Sequence, residues 1–270
     1  MKAISPAKKI PPPSSVSTSN SLKKKNYACP GNSFNFCNSF NACNFSTRQP
    51  ENRKKSKIII MKHIVVYIHG KGGNAAEADY YKQFFANAEV IGFDYKAQTP
   101  REAEAEFVPY FNALREKYDK ITLIANSIGA YFAFNTLTKK QVDEAIFISP
   151  VADMAALIEN MMSSNGVSEA ELRSKKEIPV PGGETLSWKY YCYAREHAPA
   201  WLTSAPIPAH IICGDRDMLT PPEKMRVFAA KIGASVAVMP GGEHWFHTPE
   251  QMRFLNAQIT RFSGGFHKKT

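Results

Sequence analysis

Residues 121–138 read ITLIANSIGAYFAFNTLT and combine two kinds of buried structure in one run. The aliphatic and β-branched beginning favours a strand, whereas the continuation, rich in Ala and Phe, is typical of a buried helix. Eighteen positions without a charge reach the lower limit for a membrane-spanning helix. Because Asn126, Ser127 and Asn135 interrupt the run with polar groups, we interpret it as a buried strand that turns directly into a helix, and we expect no membrane span.

On either side of this segment, short apolar runs alternate with amphipathic runs of helical length. The predicted strands cover residues 63–68, 89–94, 121–125, 145–149, 209–214 and 235–239. The predicted helices cover residues 76–87, 100–117, 128–138, 221–231 and 249–262. Strands and helices that alternate in this way form a parallel sheet with helices on its faces. The pattern therefore predicts an α/β fold with a mostly parallel, open sheet of six strands and helices on both faces.

Residues 151–208 depart from this alternation, because they hold three short helical patterns and no predicted strand. The insertion follows the carboxyl end of a strand, where open parallel sheets bind ligands, so we expect a short helical cap beside a site. On one interpretation, its Met and aromatic side chains form the cap's own core. On the other, Trp188 and Tyr191 line an apolar substrate pocket, for which Trp245 is a third candidate.

The first sixty residues show no periodic hydrophobic pattern and are rich in Ser, Asn, Pro and Lys. Such a composition cannot bury enough apolar surface to offset the entropy of ordering the chain, so we predict a disordered extension over 1–60. Three origins stay open for it: a start assigned upstream of Met61, an organelle transit peptide, or a tail that binds an acidic partner. The folded domain is predicted over 61–270, and we expect a cytoplasmic protein unless the extension directs import.

The net charge of the chain lies in this extension. Residues 1–60 hold eleven Lys or Arg and one acidic residue, whereas residues 61–270 hold 23 basic and 23 acidic residues. A neutral body without a basic stripe attracts phosphate backbones poorly, so we expect no nucleic-acid partner. The five Cys lack the close spacing of a zinc motif, and no Gly-rich phosphate loop or dinucleotide fingerprint occurs. We therefore expect neither a metal nor a cofactor.

The junction between strand and helix carries Ala125-Asn126-Ser127-Ile128-Gly129. A serine at such a junction takes a strained turn that projects its hydroxyl from the edge of the sheet, and the residues two before and two after it must be small. Ala125 and Gly129 meet that demand. The pattern A-x-S-x-G predicts Ser127 as a nucleophile, although a serine here also suits a plain helix N-cap.

A serine hydroxyl is a poor nucleophile at neutral pH, so it needs a base and an acid that orients the base. Asp215 and Asp217 follow the fifth predicted strand, and His244 follows the sixth. The loops after parallel strands lie at one edge of the sheet, so three such side chains can converge. His247 stays open as an alternative to His244, and Asp215 as an alternative to Asp217.

Acyl chemistry also needs N–H donors for the oxyanion. The backbone N–H of Ile128, next to Ser127, is one candidate. The loop His69-Gly70-Lys71-Gly72-Gly73 follows the first predicted strand and should supply the second, for which we predict the backbone N–H of Lys71. We expect His69 to structure this loop rather than to react.

From Met61 onward the chain resembles a small serine α/β-hydrolase. Four motifs match in order: HGKGG at 69–73, ANSIG at 125–129, GDRDMLTP at 214–221 and GGEHW at 241–245. The first residue of ANSIG departs from the Gly that is usual in the family. The resemblance implies that Asp217, the second acid of its loop, orients His244. It also implies that residues 63–68 are the third of eight strands with the antiparallel first two missing, and that the insertion is the family's cap.

Together these residues predict a serine hydrolase that cleaves a small carboxylic ester or thioester through an acyl-enzyme intermediate, with Ser127, His244 and Asp217 as the triad. The resemblance extends to fold and reaction class but not to the substrate, because similar scaffolds hydrolyse many kinds of bond. The alternative is a catalytically idle protein of the same fold that binds a small ligand or a protein partner in the cleft.

Overall fold

The structure, a computed structural model, describes residues 61–197 and 199–264 of the chain. The predicted extension over 1–60 and the last six residues of the predicted domain, 265–270, lie outside the described residues. Within these ranges, no helix is both long enough and apolar enough to cross a bilayer.

Eight strands occur in this part of the chain: β1 (His63–Ile68), β2 (Glu89–Phe93), β3 (Lys120–Asn126), β4 (Glu144–Ile148), β5 (Glu177–Val180), β6 (Glu184–Ser187), β7 (Ala209–Gly214) and β8 (Ser235–Met239). Six of them form one sheet in the order β2-β1-β3-β4-β7-β8, and every neighbouring pair in that sheet is parallel. The predicted six-stranded parallel sheet is confirmed, and each predicted strand agrees with the observed one to within a residue at either end. Because the chain moves from β1 outward to β2 and then back to β3, a crevice forms at the carboxyl ends of β1 and β3.

The helices of the described residues are a 3₁₀ helix (Ala75–Phe84), α1 (Pro100–Arg115), α2 (Ser127–Thr136), α3 (Met154–Ser164), α4 (Glu169–Lys175), α5 (Trp188–Glu196), α6 (Ala200–Thr203), α7 (Pro222–Ile232) and α8 (Pro249–Ser263). The helix predicted over 76–87 is thus a 3₁₀ helix that ends three residues earlier. Its start packs tightly on β2, since a Cβ on Gly92 would lie only 1.9 Å from the carbonyl oxygen of Ala75.

Apolar side chains of the sheet point to both of its faces, as a doubly covered parallel sheet requires. Along β1, Ile64, Val66 and Ile68 join the core on the face covered by α1, α2 and α7. Val65 and Tyr67, which alternate with them, join the core on the face covered by the 3₁₀ helix and α8. The predicted helices on both faces are therefore confirmed.

The segment 151–208 differs from its prediction, because its described residues contain two strands, where none was predicted, and four helices instead of three. β5 and β6 form an antiparallel hairpin in which Val180 pairs with Glu184. The three residues between them include Gly182 and Gly183, whose φ angles of 94° and 82° suit glycine at a tight turn. Helices α3, α4, α5 and α6 lie in the same segment.

Candidate active site

Ser127 stands where β3 ends and α2 begins, at the crevice described above. Its φ is +50°, an uncommon value for a residue with a side chain. Small neighbours permit the turn: a Cβ on Gly129 would lie 2.3 Å from the carbonyl oxygen of His69, and one on Gly70 would lie 3.2 Å from the Cβ of Ser127. A side chain at Gly129 would therefore force α2 away from β1.

The structure brings the three predicted triad side chains together. The Oγ of Ser127 lies 2.8 Å from the Nε2 of His244. The Nδ1 of the same ring lies 2.7 Å from the Oδ2 of Asp217. These residues come from the loops after β3, β8 and β7, and all three loops lie at the carboxyl edge of the sheet.

The carboxylate of Asp217 is well supplied with hydrogen-bond donors. Its side chain is 0% exposed, and it accepts hydrogen bonds from the backbone N–H groups of Leu219 and Thr220 and from the Thr220 hydroxyl, besides that from His244. Burial by itself would raise the pKa of this carboxyl, but the hydrogen bonds from His244 and Thr220 outweigh burial, and the pKa is lowered. Asp217 therefore faces His244 as a fixed negative charge.

The alternatives to Asp217 and His244 occupy other places. Asp215 accepts a hydrogen bond from the backbone N–H of Gly241 at 2.6 Å, so it ties the loop after β7 to the one after β8. The Nδ1 of His247 faces the carbonyl oxygen of Trp245, and the imidazole ring stacks on the indole ring of the same residue. His69 lies in its own loop, with Nδ1 2.9 Å from the carbonyl oxygen of Gly70 and its ring stacked on Tyr95.

Of the two residues predicted as oxyanion donors, Ile128 directly follows Ser127, and Lys71 directly follows Gly70, which packs against the side chain of Ser127. Ile128 is in the first turn of α2, and the side chain of Asn126, the N-cap residue, makes no capping hydrogen bond. Lys71 follows Gly70 in a turn closed by a 3.1 Å bond from the N–H of Gly73 to the carbonyl oxygen of Gly70. That bond leaves the Lys71 N–H unused by the turn.

Two cavities adjoin His244. The first has a volume of about 360 Å³ and is lined by the loop after β1, with Glu77, Asn126, His244 and Trp245. The second, of about 210 Å³, shares those last four residues and extends to side chains of α8. The structure thus provides space for a small molecule beside the Ser127–His244 pair.

The three aromatic residues proposed for a substrate pocket are placed differently from one another. Trp245 lines both cavities beside His244 and is 71% exposed. Trp188 lines a separate cavity of about 540 Å³ between α5 and the start of α1. Tyr191 is 3% exposed and donates its hydroxyl to Glu159, so this residue packs inside the cap. This burial favours the interpretation in which the aromatic side chains of residues 151–208 form a core of their own.

The motifs did not indicate two further residues near the carboxyl edge of the sheet, and only one of them, Glu77, lines the cavities beside His244. Glu77 lies in the 3₁₀ helix, and only the packing of that helix brings its carboxylate to the cavities beside His244. Ser149 directly follows β4, has a φ of +43°, and its buried hydroxyl has no hydrogen-bond partner among the described residues. No group of three or more His, Cys, Asp or Glu suited to a metal ion occurs within residues 61–197 and 199–264.

Known proteins resemble the chain in structure rather than in sequence. No protein-family model matches it, and no curated protein sequence matches it either. Est1E from Butyrivibrio proteoclasticus superposes with a TM-score of 0.59 at 16% identity, over 75% of this chain and 87% of that protein. Alpha/beta hydrolase domain-containing protein 10 from mouse gives 0.58 at 17% identity, over 74% of this chain and 88% of that protein. A putative hydrolase from Agrobacterium vitis S4 gives 0.58 at 17% identity, over 75% and 88%. These likenesses, together with the six-stranded parallel sheet and its helices, identify the chain as having the α/β-hydrolase fold.

Proposed function

We propose that this protein is a serine hydrolase that cleaves a small carboxylic ester or thioester. The observation that carries the proposal is a chain of two hydrogen bonds. The Oγ of Ser127 lies 2.8 Å from the Nε2 of His244, and the Nδ1 of His244 lies 2.7 Å from the Oδ2 of the buried Asp217. The likeness to proteins whose names describe them as hydrolases supports hydrolysis in general.

In the first half of the reaction, the Oγ of Ser127 adds to the carbonyl carbon of the substrate while its proton passes to the Nε2 of His244. The backbone N–H groups of Ile128 and Lys71 donate hydrogen bonds to the carbonyl oxygen and stabilise the negative charge that develops on it. When the tetrahedral adduct collapses, the C–O or C–S bond breaks, and the leaving alcohol or thiol takes the proton from His244. Asp217 holds the ring in the required tautomer and stabilises its positive charge.

In the second half, a water molecule loses a proton to His244 and adds to the acyl group on Ser127. Collapse of this second adduct releases the carboxylic acid, and the proton returns from His244 to the serine oxygen. Both halves of the reaction use only side chains and backbone N–H groups of this protein, together with water.

The test is a panel of p-nitrophenyl esters and acyl-CoA thioesters of increasing chain length, measured with the full chain and with Ser127→Ala. We expect at least one ester to be hydrolysed and the variant to lose about 10⁴-fold or more in kcat. Ser149→Ala is the matched control, because it removes the hydroxyl of another serine with positive φ at the neighbouring strand end. That buried hydroxyl has no partner among the residues described, so its removal should leave activity and folding close to those of the wild type.

Hydrolysis that persists in Ser127→Ala would contradict the proposal. So would a folded wild-type protein that hydrolyses none of the panel, a result that favours a ligand-binding protein of the same fold.

A further inference from the structure

The two cavities beside His244 are neighbours. They share Glu77, Asn126, His244 and Trp245 among their lining residues, and their volumes are about 360 and 210 Å³. Each is many times larger than the space that one water molecule needs. A substrate whose reacting carbonyl lies at Ser127 therefore has room for a substituent in the direction of Glu77.

Glu77 is held in place by two donors. Its Oε2 accepts the hydroxyl of Tyr67 at 2.6 Å, and its Oε1 accepts the backbone N–H of Asn74 at 3.2 Å. Burial raises the pKa of Tyr67, so the phenol keeps its proton and remains a donor to the carboxylate. An ionised carboxylate has about four acceptor sites, and these two bonds leave further sites for a ligand.

The charge of Glu77 is not balanced by a neighbouring cation. In the described ranges, no Lys, Arg or His side chain lies within ion-pair distance of it. Lys71 lines the same cavity, but its ammonium group is paired with Glu184 on β6. A half-buried carboxylate without a counter-ion favours a cationic ligand, because the partly desolvated charge gains most from an opposite one.

The second cavity adds aromatic side chains to this carboxylate. Tyr67, Tyr80, Tyr81, Trp245 and Phe246 contribute to its lining. The hydroxyl of Tyr67 is engaged by Glu77 and that of Tyr80 by Asn256, so these rings offer the cavity little free hydrogen-bonding capacity. Aromatic rings attract cations through their quadrupole, and groups of them recognise organic ammonium ions.

We propose that the two cavities bind an organic ammonium group of the substrate, with Glu77 as its counter-ion and the aromatic residues of the second cavity around it. The substrate class is then a small ester or thioester that carries a positively charged nitrogen. The inference deepens the proposed function and rests on it for the reaction, because the cavities adjoin His244.

Binding is tested first, because it does not require hydrolysis. Ligand-observed NMR titrations of the full chain compare choline with 3,3-dimethylbutan-1-ol, which has the same shape but carbon in place of the charged nitrogen, at equal ionic strength. We expect the wild type to bind choline about tenfold more tightly or better. Equal affinity for the two compounds would overturn the proposal without any variant.

Two variants then locate the charge that is responsible. Glu77→Gln keeps a residue that suits the capping position of the 3₁₀ helix, and it should reduce the preference for choline to about threefold or less. Asp79→Asn removes the same charge from the same helix, but Asp79 is 74% exposed and pairs with Lys82, so this control should keep the preference. A preference that survives in Glu77→Gln would overturn the proposal.

A kinetic comparison separates the two proposals from each other. Hydrolysis of butyrylcholine and of its neutral counterpart, 3,3-dimethylbutyl butyrate, is measured with the wild type and Glu77→Gln. We expect kcat/KM to favour the charged ester by about tenfold in the wild type and much less in the variant. Hydrolysis without preference for the charged ester refutes the ammonium site alone. Selective choline binding without hydrolysis of any ester supports the ammonium site and refutes the hydrolase.

Discussion

Asp217→Asn removes the charge that faces His244 while it preserves the size of the side chain. The native carboxylate accepts four hydrogen bonds, from His244, from two backbone N–H groups and from the Thr220 hydroxyl. An Asn side chain has one acceptor oxygen and an NH₂ group. If its oxygen continues to accept the backbone N–H groups, its NH₂ must face the Nδ1 of His244, which then has to act as the acceptor.

The consequence for catalysis follows from the tautomer. With Nδ1 as acceptor, the proton of the neutral ring lies on Nε2, which is 2.8 Å from the Oγ of Ser127 and can no longer receive the proton of that hydroxyl. In serine proteases the same change lowers kcat about 10⁴-fold. At about 1.36 kcal/mol per factor of ten, this corresponds to about 5.4 kcal/mol of transition-state stabilisation. The free energy of unfolding should fall by a smaller amount, about 1–3 kcal/mol, since the buried Thr220 hydroxyl loses the carboxylate oxygen that accepts its hydrogen bond.

The assay is hydrolysis of the best p-nitrophenyl ester, with urea unfolding to show that the variant is folded. Asp215→Asn is the matched control, because its oxygen can still accept the N–H of Gly241, and kcat should change by no more than about threefold. A loss below about tenfold in folded Asp217→Asn, or a larger loss in Asp215→Asn, would refute the assignment of the orienting acid.

Three further predictions concern stability and reactivity. Burial alone would raise the pKa of Asp217, but its hydrogen bonds lower that pKa below the unfolded value of about 3.9. The stability that the ionised carboxylate contributes should therefore be complete above that pH and decrease as the pH falls. In urea unfolding, the stability of the wild type should approach that of Asp217→Asn in acid, and a difference that stays constant with pH would contradict this. Gly129→Ala should cost roughly 1–3 kcal/mol, because the added Cβ would lie 2.3 Å from the carbonyl oxygen of His69, and an unchanged urea midpoint would contradict the tight packing. Burial raises the pKa of Cys213 to about 11, so iodoacetamide at pH 8 should modify the partly exposed Cys192 and spare Cys213 until the protein unfolds, as peptide mapping would reveal.

The strands and the order of the motifs were predictable because both depend on local composition. A strand buried on both faces must be apolar, as residues 64–68 are, and functional loops often follow such strands directly. The turn at Ser127 was also predictable, since its strained backbone demands small residues at Ala125 and Gly129.

The two strands within residues 151–208 were harder to predict, because their own residues do not mark them. The strand Glu177–Val180 is short, partly exposed and contains a proline, so no alternation of apolar and polar residues marks it. The following Pro181-Gly182-Gly183 is a turn signal, and it was the one available indication of a hairpin.

The sequence also did not predict which side chains line the cavities. The rings of Trp188 and Tyr191 on α5 lie 5.9 Å apart, yet Trp188 lines a cavity whereas Tyr191 is buried with its hydroxyl on Glu159. The role suggested for Glu77 depends on how its 3₁₀ helix packs against β1 and β2, which no local pattern records.

The most direct test of the account is covalent capture of the nucleophile. The full chain is treated with a fluorophosphonate, digested and analysed by mass spectrometry, with Ser127→Ala treated in parallel. We predict one adduct, on the peptide that contains Ser127, formed rapidly by the wild type and not at all by the variant. A folded wild-type protein that stays unmodified, or an adduct formed on any other serine, would contradict the claim that Ser127 is activated by His244.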